Sequence, residues 1–287
     1  MAEARPRVAA REWWGGTGRR FGDGPSGDVG GYAAPLDRTI EMQVLPRLVL
    51  AHAGCTCEAE DAVEDGAGSD EVATLTARVV AGDDTGALAY VESLLAHGMP
   101  AERIFLDVLG GTARRLGDLW NSDACTFPEV TLGLWRLHRV LRALSAAFEC
   151  EVEHQQEPLP VLLVPVPGEQ HTFGLSVAAE FFRRAGWVVW DAPVPTRSDL
   201  VAMVRDEWFA VVGLSASCEC RLEALASCIS LVRRESCNRS IGILVGGRVF
   251  AEHPEYVSRV GADVAALDAR QAPVQAQHLV AALAHRT

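Results

Sequence analysis

Three groups of residues in this chain have types and spacing that suit a bound ligand. The first is Glu169-Gln170-His171-Thr172-Phe173-Gly174, just after the apolar run Val161-Leu162-Leu163-Val164. An imidazole can offer one ring nitrogen to a metal while a carboxylate holds the other N–H and sets the tautomer. Glu169, two residues upstream of His171, is placed for that role, and Gly174 lets a large flat ligand lie close to the start of the next helix. The second group is Ser215-Ala216-Ser217, whose hydroxyls can bond a heterocycle, and the third is Gly246-Gly247, where missing side chains let a ligand pass close to the backbone. Trp120, followed by Asn121-Ser122-Asp123-Ala124-Cys125, could cover a flat ligand. Each feature also has a plainer reading: a surface histidine, a serine cap, a glycine turn, a boundary tryptophan.

These groups fall at the ends of predicted strands. From residue 160 onward the sequence alternates strand and helix, with strands expected at 161–166, 187–190, 209–215, 241–246 and 264–267. Helices are expected at about 174–185, 197–207, 219–235, 252–260 and 272–285. Five parallel strands with intervening helices make a doubly wound domain, most commonly in the flavodoxin-like order. Its ligand crevice lies at the carboxyl ends of the first and third strands. The three groups would then line one slot.

Residues 72–150 read as a four-helix bundle cap. One helix runs from Val72 to Ala81. A second is capped by Asp83 or Asp84 and ends at Gly98, and Pro100 starts a third that carries Phe105, Leu109, Thr112, Leu116 and Leu119. The fourth carries Val130, Leu134, Leu137, Leu141, Leu144 and Phe148 at steps of four and three. His138 lies off that stripe and reads as a surface histidine. Residues 1–36 are rich in Gly, Arg, Ala and Pro and read as a disordered extension, with Trp13-Trp14 as a possible partner anchor. Residues 37–71 read as a helix over 37–53, broken or restarted at Pro46, and an acidic linker whose last 17 residues hold seven acids and no base. Residues 151–159 are a second linker, and 160–287 the α/β domain.

A net charge of −12 argues against non-specific nucleic-acid binding, so direct DNA contact has no support from charge. No apolar run reaches the ~18 residues that span a membrane. The eight cysteines form no C-x-x-C pair and sit mostly in apolar segments, as reduced, buried residues would in a cytoplasmic protein. Redox activity of Cys55-x-Cys57 or Cys218-x-Cys220 is the minority reading.

A helical bundle followed by such an α/β domain resembles the cobalamin-binding module of corrinoid proteins. That family carries D-x-H-x-x-G after the first strand, S-x-L or a variant after the third, and G-G after the fourth. Here Glu169-x-His171-x-x-Gly174, Ser215-x-Ser217 and Gly246-Gly247 stand in those places, with Gly261-Ala262-Asp263 before the last strand. The resemblance implies that His171 is the lower axial cobalt ligand, oriented by Glu169, that Ser215 and Ser217 line the slot for the displaced base, that Gly246 and Gly247 admit the tail, and that Trp120 lies over the upper face. Glutamate replaces the family's usual aspartate. The Glu-His pair of photoreceptor relatives is replaced by Glu129-Val130-Thr131. The phrases Pro-Gly-Glu-Gln-His-Thr-Phe-Gly, Gly-Leu-Ser-Ala-Ser and Arg-Thr-Ile-Glu-x-Gln-Val-Leu-Pro-Arg-Leu-Val-Leu-Ala-His are similar to the AerR/PpaA group of cobalamin-dependent antirepressors of photosynthesis genes. That resemblance, over residues 37–287, implies a non-enzymatic regulator. It would bind hydroxo- or adenosylcobalamin, respond to light or redox, and act on a PpsR/CrtJ-type repressor. The alternatives are a corrinoid carrier subunit of a methyltransferase or mutase, and a heme sensor using the same histidine.

Overall fold

The computed structural model describes residues 69–149, 158–191 and 196–285. The expected extension 1–36, the helix 37–53 and residues 54–68 of the acidic linker lie outside the described residues. The described residues fall in one compact unit, so the bundle and the α/β part are not separate bodies.

The bundle begins with α1 (Ser69–Ala81), three residues earlier than the sequence pattern predicts, because Ser69, Asp70 and Glu71 join the first turn. Acids there complement the positive end of the helix dipole. Helix α2 (Asp84–Ala96) is capped by Asp83, whose side chain accepts from the Gly86 N–H at 2.9 Å. Helix α3 comprises Ala101–Arg103, a π-helical stretch Ile104–Leu109 and Gly110–Asn121. The apolar spacing gives no sign of that π turn. Helix α4 (Phe127–Glu149) is capped through Glu129, which accepts from the Thr126 N–H and hydroxyl, each at 2.7 Å. Glu129 therefore works as a helix-start residue.

The α/β part runs β1 (Pro160–Pro165), α5 (Phe173–Arg184), β2 (Val188–Asp191), α6 (Arg197–Asp206), β3 (Val211–Ser215), a 3-10 turn Glu219–Arg221, α7 (Leu222–Glu235), β4 (Gly242–Gly246), α8 (Arg248–Glu252), α9 (Tyr256–Val260), β5 (Val264–Ala266) and α10 (Gln271–Ala284). All pairings are parallel and the order is β2-β1-β3-β4-β5, the flavodoxin-like arrangement expected from the sequence. The expected helix 252–260 is instead two short helices parted at His253-Pro254. Proline bars its predecessor from the helical region, and His253 stands at φ −131°, ψ 76°. The expected helix 219–235 likewise opens with the 3-10 turn.

Every residue of β1 is buried, as a central parallel strand demands. Alternate residues feed two cores. Leu162, Val164, Val212, Leu214, Ile243 and Val245 pack with Leu200 and Val204 of α6 and Leu225, Ile229 and Val232 of α7. Val161, Leu163, Val211 and Leu244 pack with Ala179 and Phe182 of α5 and Ala272 and Ala276 of α10. Helix α5 has a second apolar face. Phe173, Val177 and Phe181, four residues apart, join the bundle core, where Phe181 meets Phe148 edge-on at 5.1 Å. The helix that follows the histidine loop is thus held from both sides.

Candidate functional site

The strand register sets the site. Pro165 of β1 pairs with Ser215 of β3, and Ser215 pairs with Gly246 of β4. The loops leaving these three strands therefore emerge side by side at their carboxyl ends, where the chain order reverses across the sheet. The Val166 N–H donates to the Ser215 carbonyl and the Ala216 N–H to the Gly246 carbonyl, each at 3.0 Å, which carries the ladder into the loops.

Glu169 is the hub. It is only 3% exposed, and its two oxygens accept five hydrogen bonds, each of 2.8 Å. Oε1 takes the Gln170 N–H, the His171 N–H and His171 Nδ1–H; Oε2 takes the Ser217 N–H and hydroxyl. An ionised carboxylate only accepts, so the proton on this side of the imidazole sits on Nδ1. Burial pushes the Glu169 carboxyl upward, but the bonds from His171 and Ser217 together outweigh it and bring the pKa down to about 2. The hydrogen bond to Glu169 holds His171 above its ordinary value, against the burial that lowers it; Arg221 also lowers it by repulsion. The His171 side chain is 68% exposed. Its Nε2 has no hydrogen-bond partner among the described residues, which leaves a lone pair free for a metal in the neutral tautomer.

Ser217 differs from the expectation. It holds Glu169 rather than standing free toward a slot, because its N–H and Oγ converge on the same buried oxygen. Ser215 is the serine with an open valence: its Oγ is buried with no hydrogen-bond partner among the described residues. Such a group is costly unless a ligand or water satisfies it. Gly247 has φ +115°, and a Cβ there would stand 2.0 Å from the Ala216 carbonyl oxygen. The third- and fourth-strand loops therefore pass too close for any side chain at that point. Gly246 and Gly174 face open space: a Cβ on Gly246 would meet only the Ala266 carbonyl at 3.8 Å, and one on Gly174 nothing within 4 Å. Trp120 ends α3 at 36% exposure, edge-on to Phe127 at 6.3 Å, and belongs to the bundle rather than to the hydrogen-bonded network. Asp263, part of the expected Gly261-Ala262-Asp263 motif, accepts from the Ile243 N–H at 2.7 Å and fixes the start of β4.

The sequence reading misplaced one further residue and missed another. His138, expected at the surface, is half-buried and lies edge-on to Phe173 at 5.0 Å, because α4 packs on the start of α5. Burial, then Arg142, lowers its pKa. Arg221 lies over Gly168, its Nη1 2.7 Å from where a Cβ would stand. No spacing rule points to it. The cysteine expectation also needs correction. Cys218 and Cys220 form a disulfide, since the chain turns from extended at Cys218 into the 3-10 turn and brings their Cα atoms to 5.4 Å. Two shallow clefts open on the bundle, one of about 90 Å³ between α2 and α4 and one of about 220 Å³ beside Trp135, His138, Arg139 and Arg142. Neither is lined by His171.

An exposed imidazole with a fixed tautomer, an unsatisfied buried hydroxyl and a side-chain-free passage between two strand loops fit a corrinoid: metal ligand, slot contact and tail passage. The comparisons agree. Residues 159–276 match the family described as B12 binding domain, and residues 72–145 match a second B12 binding domain family. The chain therefore carries a cobalamin-binding domain with its helical partner. It is similar to an uncharacterized 20.5 kDa protein in the bchF-crtJ intergenic region of Rhodobacter capsulatus, 29% identical over 63% of this chain and 93% of that one. It is also similar to dimethylamine corrinoid protein 3 of Methanosarcina acetivorans, 24% identical over 63% of this chain and 84% of that one. In fold it matches the monomethylamine corrinoid protein of Methanosarcina barkeri, with a TM-score of 0.62 at 17% identity, over 74% of this chain and all of that one. Among the described residues no helix is long and apolar enough to cross a membrane.

Proposed function

We propose that this chain is a cobalamin-binding transcriptional regulator rather than an enzyme, an antirepressor that acts on a PpsR/CrtJ-type repressor. The observation that carries the cobalamin part is the Glu169–His171 hydrogen bond, which leaves Nε2 of an exposed imidazole open in the loop after β1, whose neighbour β3 ends at the orphaned Ser215 hydroxyl. His171 would supply the ring nitrogen that binds cobalt, and Glu169 and Ser217 keep its ring in place. Ser215 bonds the buried tail, and Gly246 and Gly247 leave room for it. Trp120, near the end of α3, would cover the bound ring system. When bound, hydroxo- or adenosylcobalamin would supply a cobalt–ligand bond that light or redox change can alter. Phe173, Val177 and Phe181 join the start of α5 to the bundle core, so a change at the histidine loop has a packed route to the bundle surface. A ligand shifts such an equilibrium only by its differential affinity for the two states.

The regulatory part rests on the likeness to the Rhodobacter capsulatus protein, whose name places it beside crtJ. The likeness to corrinoid proteins favours a second reading, a methyl carrier. One experiment separates them. Cobalamin-loaded protein is titrated into a fluorescently labelled PpsR/CrtJ-type repressor in darkness and after illumination, and is assayed in parallel with a corrinoid methyltransferase. The regulator reading expects repressor binding that changes several-fold with illumination and no sustained methyl turnover. Sustained turnover without repressor binding would overturn it.

A further inference from the structure

Cys218 and Cys220 are bonded two residues apart, in the loop between β3 and α7. So short a closed loop removes little freedom from the unfolded chain, so the bond contributes little to global stability by that route. Its place in the loop is more informative. The residue before it, Ser217, donates both bonds to Glu169 Oε2. The residue after it, Arg221, lies over Gly168 at the base of the histidine loop. Between the two cysteines, Glu219 accepts from the Tyr256 hydroxyl at 2.8 Å and lies 3.7 Å from His253 Nε2. The disulfide ring is therefore anchored outward to α9 and inward to the loop that carries His171. Cys220 is an exposed residue, whereas Cys218 is 9% exposed, so a thiol reaches the bond from the Cys220 side of the loop.

We propose that Cys218–Cys220 is a reversible thiol–disulfide site, opened by a dithiol reductant, whose redox state sets the order of the Glu169–His171 loop. The reductant's thiolate attacks Sγ of Cys220, the more exposed residue of the pair. The S–S bond breaks, and its electron pair leaves on Cys218 Sγ, which takes a proton. The second thiol of the reductant then attacks its own sulfur in the mixed disulfide and releases Cys220, which is also protonated. Two electrons and two protons reach the protein, and the reductant leaves as a cyclic disulfide. Opening the ring frees the backbone that places the Ser217 N–H, and the support of Glu169 Oε2 weakens with it. The consequence for cobalt ligation rests on the cobalamin reading; the thiol site and its effect on the loop do not.

The test uses the full chain without cobalamin. Wild type and Cys218→Ser/Cys220→Ser are compared before and after dithiothreitol, by iodoacetamide labelling with peptide mass analysis and by amide hydrogen exchange. The expected result is that the wild-type peptide carrying both cysteines is unlabelled in air, gains two alkyl groups after reduction, and loses that reactivity on treatment with oxidised glutathione. Exchange over residues 166–174 should rise at least threefold on reduction, with residues 271–284 unchanged, and the double variant should match the reduced protein. Labelling of both cysteines without reductant, or equal exchange in the oxidised and reduced wild type, would overturn the proposal even if the variant failed to fold. Because both readouts are taken without cobalamin, a failure to bind cobalamin would count against the proposed function alone.

Discussion

Replacing Glu169 by Gln tests the network at its hub. The carboxylate meets five N–H and O–H donors with two oxygens. A carboxamide has one oxygen, so its NH₂ group must face either the Gln170 and His171 donors or those of Ser217. Ser217 Oγ can rotate to accept, but its N–H cannot, and a buried unpaired donor costs ~1–3 kcal/mol. The depressed pKa expresses the same bonds as a free energy. A depression from 4.5 to about 2, at ~1.36 kcal/mol per pH unit, corresponds to about 3 kcal/mol. No discount for solvent is needed, because Glu169 is 3% exposed. A loss of that size should lower Tm by about 6–12 °C in a unit of this length. The sign is fixed by the direction of the pKa. A depressed carboxyl contributes its full stability above about pH 4.5 and loses it as pH falls toward 2, so the gap between wild type and Glu169→Gln should close on acidification. Urea unfolding of the ligand-free protein, followed by circular dichroism at pH 7, 5 and 3, measures both. A gap below about 1 kcal/mol at pH 7, or one that stays constant to pH 3, would refute the reasoning.

Other substitutions separate scaffold from site. Gly247→Ala should disrupt the β4 loop and destabilise the fold by more than 2 kcal/mol, read by thermal melting, since its Cβ would stand 2.0 Å from the Ala216 carbonyl oxygen at φ +115°. Phe181→Ala should cost about 3–5 kcal/mol in urea unfolding, because a 5% exposed ring leaves the junction of α5 with the bundle. Gly174→Leu should leave Tm within a few degrees, as a Cβ there meets nothing within 4 Å, yet weaken hydroxocobalamin binding at least tenfold by equilibrium dialysis. Ser215→Ala should leave the ligand-free protein as stable or slightly more stable, since it deletes an unsatisfied buried hydroxyl, while weakening cobalamin retention.

The sheet was legible because buried parallel strands appear as continuous apolar runs, and turns bound them closely: β1, β3 and β4 start and end within two residues of expectation. Pro254 carried a signal for the break between α8 and α9, which the expected helix 252–260 ran across. The π turn in α3 carried none, because one extra residue per turn leaves Phe105, Leu109 and Leu116 apolar and buried all the same. At the site, the spacing of Glu169 and His171 placed both residues in one loop, but not the division of labour between Ser215 and Ser217. That division depends on which hydroxyl reaches a carboxylate 48 positions away, a long-range fact that no local pattern encodes. The same holds for Phe173, Val177 and Phe181. Their four-residue step announces an apolar face, but not that the face belongs to the bundle core.

The most direct measurement is the visible spectrum of the protein after incubation with hydroxocobalamin and gel filtration, beside His171→Ala. The variant should stay folded, since the His171 side chain is 68% exposed and packs little, but with a lowered Tm because it loses the Nδ1–H bond to Glu169. The account predicts corrin bands that travel with the wild type at about one per chain and are shifted or lost in the variant. Wild-type protein that elutes without corrin, or a variant with an identical spectrum and occupancy, would contradict it; a Soret band gained on adding heme instead would assign the histidine to a different metal.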